Sequence, residues 1–305
     1  MNGTIASIAC FYKEVYYTLY AGPHFKKTAV KLYDQQHIQA FYNEYAEQES
    51  LRWDKSIVEQ VKQAVHLHHL HQNIEPGDTI LELGAGTGIF TQVLATYTAD
   101  LTVTDLSPVQ LKLNKERAVQ ENYMSKVKDW QITDICDLST WADNTFDKIV
   151  CYGGPLSYVF EQKIVALQEM KRVLKPGGLL LFSVMNLWGT AREYLTKIMM
   201  SVSPTDNEKI IQTGNLHPSS FTPSEHHCHM FRLDELQQDI DAVGFEVITF
   251  SASNCLSALR ADDLLELKKD ELEWTYFMDL EIRACQSAGM LESGTHLIAV
   301  VKKNS

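Results

Sequence analysis

Three glycines at alternate positions, Gly84, Gly86 and Gly88, follow directly on the apolar run 79–83 and lead into Ile89 and Phe90, which open a helix. Lacking a Cβ, such glycines let the backbone turn sharply and approach a ligand closely. The helix behind them points its unpaired N–H groups at whatever is bound. Asp105 stands 17 residues past Gly88, at the end of a second apolar run, 101–104. A carboxylate at that place accepts hydrogen bonds from two ribose hydroxyls. Strand, glycine turn, helix, strand and acid together form the chemistry of a nucleoside site.

The elements that position these residues are legible around them. A helix over about 55–72 leads to the turn Pro76-Gly77-Asp78 and the first strand. A helix over about 89–97 and the second strand follow. Ser107-Pro108, an N-cap with proline at the first helical position, then starts a helix running to about Tyr123. Further strands are expected at 130–133, 146–151 and 179–184, with a helix at 164–174 that stops at Lys175-Pro176-Gly177-Gly178. Past residue 186 the rhythm breaks. Residues 201–230 read as loop-rich, 233–243 as a helix ended by Gly244, 245–250 as a strand, 262–285 as one long amphipathic helix and 295–301 as a last strand. Strands alternating with helices predict an α/β fold: a doubly wound, mainly parallel seven-stranded, Rossmann-like sheet with an antiparallel last strand.

Composition narrows the classes. The chain has 305 residues, 45% hydrophobic and 22% charged, enough for one large domain with an appendage. A net charge of −12 argues against a general nucleic-acid binder. Six cysteines are scattered without a C-x-x-C pair, which reads as reduced thiols in a cytoplasmic protein. No secretory signal is legible, and no run reaches the about 18 apolar residues that span a membrane.

The string Leu81-Glu82-Leu83-Gly84-Ala85-Gly86-Thr87-Gly88 resembles the first motif of class I S-adenosylmethionine (SAM)-dependent methyltransferases. A hydride-transfer enzyme would carry a third glycine where Ile89 stands. More pieces follow in the family's order, and the resemblance covers about 75–185 well and 230–301 more loosely. It implies that Glu82, Gly84, Ala85, Gly86 and Gly88 underlie the methionine part of SAM, and that Asp105 and Leu106 hold the ribose. Asp134 and Ile135 would take the adenine, the acid accepting from its exocyclic amine while Ile135 packs on the ring. Cys151, opening the stretch Cys151-Tyr152-Gly153-Gly154-Pro155, would end the fourth strand facing the reacting methyl. Asp147 reads as a turn residue instead of a ligand. Enzymes that methylate exocyclic base nitrogens carry Asn/Asp-Pro-Pro-aromatic after the fourth strand, and metal-dependent catechol methyltransferases a carboxylate there. This chain has neither.

The flanks must then hold the acceptor. Ten aromatics lie between Phe11 and Tyr45, and Tyr12, Tyr16 and Tyr20 recur as one helix face would. They read as packing helices and as a lid supplying an aromatic wall to a sulfonium. Within Tyr42-Asn43-Glu44-Tyr45, followed by Glu49, Arg52 and Trp53, Tyr45 is placed to touch the methionine end and Arg52 to pair with its carboxylate. Among His217, His226, His227 and His229, the spacing builds no tetrahedral metal site. Ordinary loop histidines and a base lining the acceptor pocket, His226 or His229, both stay open. His66, His68, His69 and His71 read as surface or interface histidines.

The expected organisation is an N-terminal helical lid over 1–55 and a SAM-binding domain over 56–305, with a cap insertion after strand 5 at about 186–235. The expected function is direct displacement of the sulfonium methyl onto a small-molecule acceptor, with S-adenosyl-L-methionine as cofactor and no metal. Tyr45, His226 and His229 are the catalytic candidates. The alternatives are SAM chemistry at another carbon, including azetidine-forming ring closure that releases methylthioadenosine, and SAM binding without turnover. Neither nucleic acid nor membrane is an expected partner, and a homodimer is an open possibility.

Overall fold

The computed structural model describes residues 31–220, 225–258 and 260–304. The chain divides into two units, Met1–Lys31 and Leu32–Ser305, and of the first only Lys31 is described. The expected helix face Tyr12, Tyr16, Tyr20 and the aromatics Phe11, Tyr17 and Phe25 lie outside the described residues.

The second unit is built on a seven-stranded sheet. Its strands are β1 (Ile80–Leu83), β2 (Leu101–Asp105), β3 (Val127–Ile132), β4 (Phe146–Cys151), β5 (Leu174–Met185), β8 (Phe245–Ala252) and β9 (His296–Lys303). They lie in the order β3-β2-β1-β4-β5-β9-β8. β9 runs antiparallel to both β5 and β8, and the other pairs are parallel. This is the sheet expected from the sequence. Two-residue periodicity explains why it is covered on both faces. Leu81, Leu83, Ile149, Leu180 and Phe182 enter one core with Ala166 and Leu167 of helix Lys163–Val173 and Leu236 and Ile240 of helix Leu233–Val243. The alternate residues Ile80, Val150 and Leu181 enter the other, with Val61, Val65 and Leu70 of helix Ile57–Asn73. Strand order reverses between β1's neighbours β2 and β4, so a crevice opens beyond the carboxyl ends of these three strands.

Local signals set several boundaries. Ser107 caps helix Pro108–Gln120 by accepting from Gln110 N–H at 3.1 Å. Gly244, at φ 78°, ends helix Leu233–Val243. Elsewhere the structure corrects the sequence reading. β3 starts at Val127 because an edge strand tolerates the exposed Lys128 and Asp129 that hide it from an apolar pattern. Lys175-Pro176-Gly177-Gly178 lies within β5 as an irregularity of the β4–β5 ladder, with Gly177 at φ +77°. Asp147 does act structurally, accepting from Thr79 N–H at 3.0 Å and Lys175 Nζ at 2.8 Å. The expected single helix 262–285 is two, Ala261–Leu267 and Glu271–Cys285, divided where Asp270 accepts from Leu272 and Glu273 N–H.

The segment 186–235, expected to be loop-rich over 201–230, holds more regular structure than that. It carries helices Leu187–Glu193, Leu195–Ser201 and Pro204–Thr213 and a small hairpin, β6 (Asn215–Leu216) with β7 (Cys228–His229). The signals for Pro204–Thr213 are in the sequence: Ser203 as N-cap, Pro204 at the first position and Gly214 at φ 72° after the end.

Candidate active site

Beyond the ends of β1, β2 and β4 lies a cleft lined by the glycine turn, Asp105, Asp134 and an aromatic wall that includes Tyr42, Tyr152 and Tyr158. Its floor is the glycine turn. Gly84 takes φ +65°, and a Cβ there would lie 2.4 Å from Pro155 Cγ, so glycine lets the turn after β4 close on the loop. Gly86 and Gly88 also take positive φ, 55° and 91°, and Gly88 N-caps helix Ile89–Leu94. Beneath the loop, Glu82 is buried and accepts the Thr91 hydroxyl at 2.6 Å. Burial pushes the Glu82 carboxyl up to about 8. Glu82 therefore tethers the helix to β1 from inside and is not part of the cleft wall.

Asp105 reaches the cleft from the last position of β2. Its Oδ2 accepts Gly86 N–H and its Oδ1 accepts Ser107 N–H, both at 2.8 Å. The acid thus ties the glycine turn to the cap of the next helix. Burial pushes its carboxyl up to about 6, against the opposing backbone N–H groups of Ser107, Gly86 and Leu106. Leu106, Asp134 and Ile135 line the cleft with it, as do Gly84, Ala85 and Gly86. Asp134 accepts Cys136 N–H on Oδ1 at 2.9 Å and the Tyr33 hydroxyl on Oδ2 at 2.7 Å.

The side facing the glycine loop comes from helices Gln35–Tyr45 and Gln48–Asp54. They contribute Ile38, Tyr42, Glu49, Arg52 and Trp53 to the wall. Arg52 pairs with Glu49 at 2.9 Å across one helical turn. Gln110 fastens the first helix, donating to the carbonyls of Tyr42 and Ala46 at 3.1 and 3.0 Å. Three wall atoms are buried without a hydrogen-bond partner: Gln110 Oε1, Arg52 Nε and Tyr152 Oη. Buried polar atoms are nearly always satisfied, so these three, unpaired among the described residues, mark where the wall is polar but unsatisfied.

The structure separates the sequence candidates. Ala85, Gly84, Gly86, Arg52, Asp105, Leu106, Asp134 and Ile135 meet at the cleft. Cys151 is fully buried in the core, one residue short of Tyr152, which takes the wall position. Tyr45 packs on Phe41 and Tyr42 at ring distances of 5.9 and 6.3 Å, outside the wall. His229 is held at both nitrogens, Nδ1 by Asn215 at 2.7 Å and Nε2 by Glu235 at 2.8 Å, which leaves neither for an acceptor. His226 stands behind the wall, its Nε2 3.3 Å from the Tyr158 hydroxyl, and Tyr158 lines the cleft. Burial pushes the His226 imidazole down to about 4.

Sequence reasoning missed Tyr33 and Gln110 as cleft residues, and it read His66 and His69 as surface or interface histidines. Both histidines are buried, on the face of helix Ile57–Asn73 shared by Lys62, Val65 and Leu70. The i, i+3, i+4 spacing of 62, 65, 66, 69 and 70 was the available signal. The His66 ring packs edge-on against Tyr152 at 4.9 Å, behind the cleft.

Comparison with known proteins bears on this same stretch. Residues 81–182 match the family model described as a methyltransferase domain. A ubiquinone/menaquinone biosynthesis C-methyltransferase from Hydrogenovibrio crunogenus is 33% identical over 111 residues, 35% of this chain and 42% of that one. A demethylmenaquinone methyltransferase from Corynebacterium glutamicum is 34% identical over 138 residues, 43% and 54% of the two chains. The chain thus spans about half the length of the curated relatives it matches. Among solved structures, the N-methyltransferase NodS of Bradyrhizobium japonicum WM9, in complex with S-adenosyl-L-homocysteine (SAH), superposes with a TM-score of 0.53. That likeness is one of fold, at 19% identity over 88% of this chain and 99% of the other.

Proposed function

We propose that the chain, whose residues 81–182 match a methyltransferase domain, is an enzyme that binds SAM and moves its sulfonium methyl onto a small-molecule acceptor by direct displacement. The observation that carries this reading is the joining of Asp105 to the glycine turn through Gly86 N–H, at the mouth of a cleft that also holds Arg52, Asp134 and Tyr158. When bound, SAM supplies an electrophilic methyl with its leaving group already attached.

The chain's own residues align the partners and exclude water. Asp105 accepts the ribose hydroxyls, Asp134 the exocyclic amine, and Ile135 and Leu106 give apolar contact. Arg52, which lines the cleft and pairs with Glu49, takes the methionine carboxylate. Tyr42, Tyr152 and Tyr158 wall the space in which the acceptor sits, and among the described residues none of 186–235 lines it. His226 Nε2, 3.3 Å from the Tyr158 hydroxyl, positions that hydroxyl beside the acceptor space, and with its imidazole pushed down to about 4 by burial it is too weak a base to keep an acceptor's proton at pH 7. The small-molecule acceptor, the absence of nucleic-acid and membrane partners, a cytoplasmic location and the N-terminal segment as a lid belong to the same proposal. Among the described residues no helix is long and apolar enough to cross a membrane.

Calorimetry with SAH tests the site, and mass spectrometry of the nucleoside product tests the chemistry. SAH formed with an acceptor supports methyl transfer, methylthioadenosine would replace it by ring closure or transfer of another carbon, and no SAH binding would sink the reading. Arg52 has its own test. Arg52→Met should weaken SAH about tenfold or more, the worth of a charged hydrogen bond, and leave methylthioadenosine, which lacks the amino-acid head, within about twofold. Equal losses for both would remove Arg52 from this role.

The Asp105 carboxyl predicts a pH dependence. Its charged form accepts two hydroxyls at once, and it is protonated below about 6. SAH affinity should therefore be full above that value and fall as pH drops through it, by up to about tenfold per unit. Titration calorimetry between about pH 5 and 8 reads this directly. A flat profile would place the ribose elsewhere.

A further inference from the structure

Asp134 is gripped from two sides. Cys136 N–H donates to Oδ1 at 2.9 Å and the Tyr33 hydroxyl to Oδ2 at 2.7 Å. The first contact is a local turn, and the second spans 101 residues of chain. Tyr33 precedes Asp34, whose side chain caps helix Gln35–Tyr45 by accepting from Gln36 and His37 N–H. Its backbone is fixed from elsewhere: the N–H groups of Leu32 and Tyr33 both donate to Glu161 Oε2, at 3.1 and 3.2 Å. Glu161 sits in the short turn Phe160–Gln162 after the cleft residue Val159. The Tyr33 side chain lines the same cleft as Asp134 and Ile135. Two carboxylates thus hold Tyr33 across the Asp134 side of the site, Glu161 at its backbone and Asp134 at its hydroxyl.

We propose that Tyr33 and Glu161 form a clasp that sets base specificity: Tyr33 fixes the Asp134 carboxylate so that its remaining lone pairs meet an exocyclic amine, and Glu161 holds Tyr33 in place. The inference rests on the reading of Asp134 as the base-reading acid. A free carboxylate turns easily about its last bond, because that torsion is broad. With one donor on each oxygen it is locked. Both partners are donors, so the carboxylate meets them as an acceptor and offers its remaining lone pairs to the ligand. Burial and the neighbouring Asp134 hold the Tyr33 phenol well above its ordinary range, which keeps it a donor. A locked acceptor receives the amine of adenine and opposes the carbonyl of a deaminated base. Sites built around one hydrogen-bond partner reject an analogue lacking it far better than apolar pockets reject a shape change. Tyr33 and Glu161 are positioning residues, so they act on discrimination between ligands.

The test compares SAH with S-inosylhomocysteine, which has a carbonyl in place of the amine, by calorimetry on the full chain. The wild type should prefer SAH by about 100-fold or more. Tyr33→Phe and Glu161→Ala should each weaken SAH about tenfold and leave S-inosylhomocysteine within about twofold, so the preference shrinks about tenfold. Glu161→Gln, which keeps one acceptor for the Tyr33 backbone, should restore part of it. A preference unchanged in Tyr33→Phe, or equal losses for both ligands, overturns the clasp, and thermal melts confirm that the variants fold. A wild type that binds both ligands equally overturns the base reading of Asp134 and the clasp with it. A folded wild type that binds neither overturns the SAM site itself.

Discussion

Asp105→Ala should weaken SAH binding at pH 7.5 by at least about 100-fold while the protein still unfolds cooperatively. The carboxylate is the proposed acceptor for two ribose hydroxyls, and hydrogen bonds to a charged group contribute about 1.5–3 kcal/mol each. Losing two of them gives about 3 kcal/mol or more, and every 1.4 kcal/mol is about tenfold. The same substitution releases Gly86 N–H and Ser107 N–H, so the turn also loses its tie to the next helix. The fold suffers less than the site. A carboxyl whose native pKa is raised to about 6 binds its proton more tightly in the native state than in the unfolded chain. Its contribution to stability is therefore present below its ordinary pKa of about 3.9 and is lost as pH rises through about 6. At pH 7.5 the ionised acid is a burden on the empty fold, and removing it offsets part of the lost bonds. Calorimetry and thermal melts on one preparation separate the two effects. A variant that binds SAH within tenfold of wild type would show that the ribose is held elsewhere.

Glu281→Ala should be the most damaging of these substitutions for the fold, with little consequence for the cleft. Glu281 is fully buried on helix Glu271–Cys285. Its Oε1 accepts Cys255 N–H at 2.8 Å and the Ser257 hydroxyl at 2.7 Å, and its Oε2 accepts Leu256 N–H at 2.7 Å. A second tie, to Ser257 N–H, is longer at 3.3 Å. These donors sit in the turn that leaves β8, so one carboxylate closes the loop on which the β8–β9 pairing ends. Truncation leaves several buried donors without a partner, at about 1–3 kcal/mol each. Water entering the space recovers part of that, so a net loss of about 3–5 kcal/mol is expected, the usual cost of breaking a buried charged contact. For a chain of this size the melting temperature should fall by roughly 6–10 °C. Glu281→Gln, keeping one acceptor oxygen, should lose about half as much. SAH affinity of the folded protein should stay within about twofold, because Glu281 is not in the cleft wall. A melt shifted by less than 2 °C would mean that the loop is held by other contacts.

The two substitutions also divide what was readable. Asp105 was legible because everything that makes it a site residue is local: an apolar strand ending in an acid, a serine–proline cap after it and a glycine turn one unit upstream. Glu281 was not. It stands in an amphipathic helix where a glutamate reads as a solvated face, and only the packing of that helix over residues 253–257 buries it. The histidines repeat the contrast. His226 and His229 lie three residues apart, yet one faces Tyr158 at the cleft and the other is locked between Asn215 and Glu235. Their spacing carries no trace of that difference, because it depends on a hairpin partner fourteen residues away and on a helix that follows. Glu82 looked like a ligand through its place in the glycine motif, but strand alternation turns it beneath the loop onto Thr91.

By itself the sequence determined the seven-stranded sheet, the position of its crevice and most of the glycine-loop side of the cleft. These follow from two-residue burial periodicity, from caps, and from glycines whose positive φ values excuse a missing Cβ, all of which act within a few residues. The tertiary structure alone decided which further side chains complete the cleft: Tyr33 on Asp134, Gln110 in the wall, Tyr152 in place of Cys151, and His66 buried behind them. Those placements arise where segments distant in sequence pack together, and the energy that selects them belongs to the pairs.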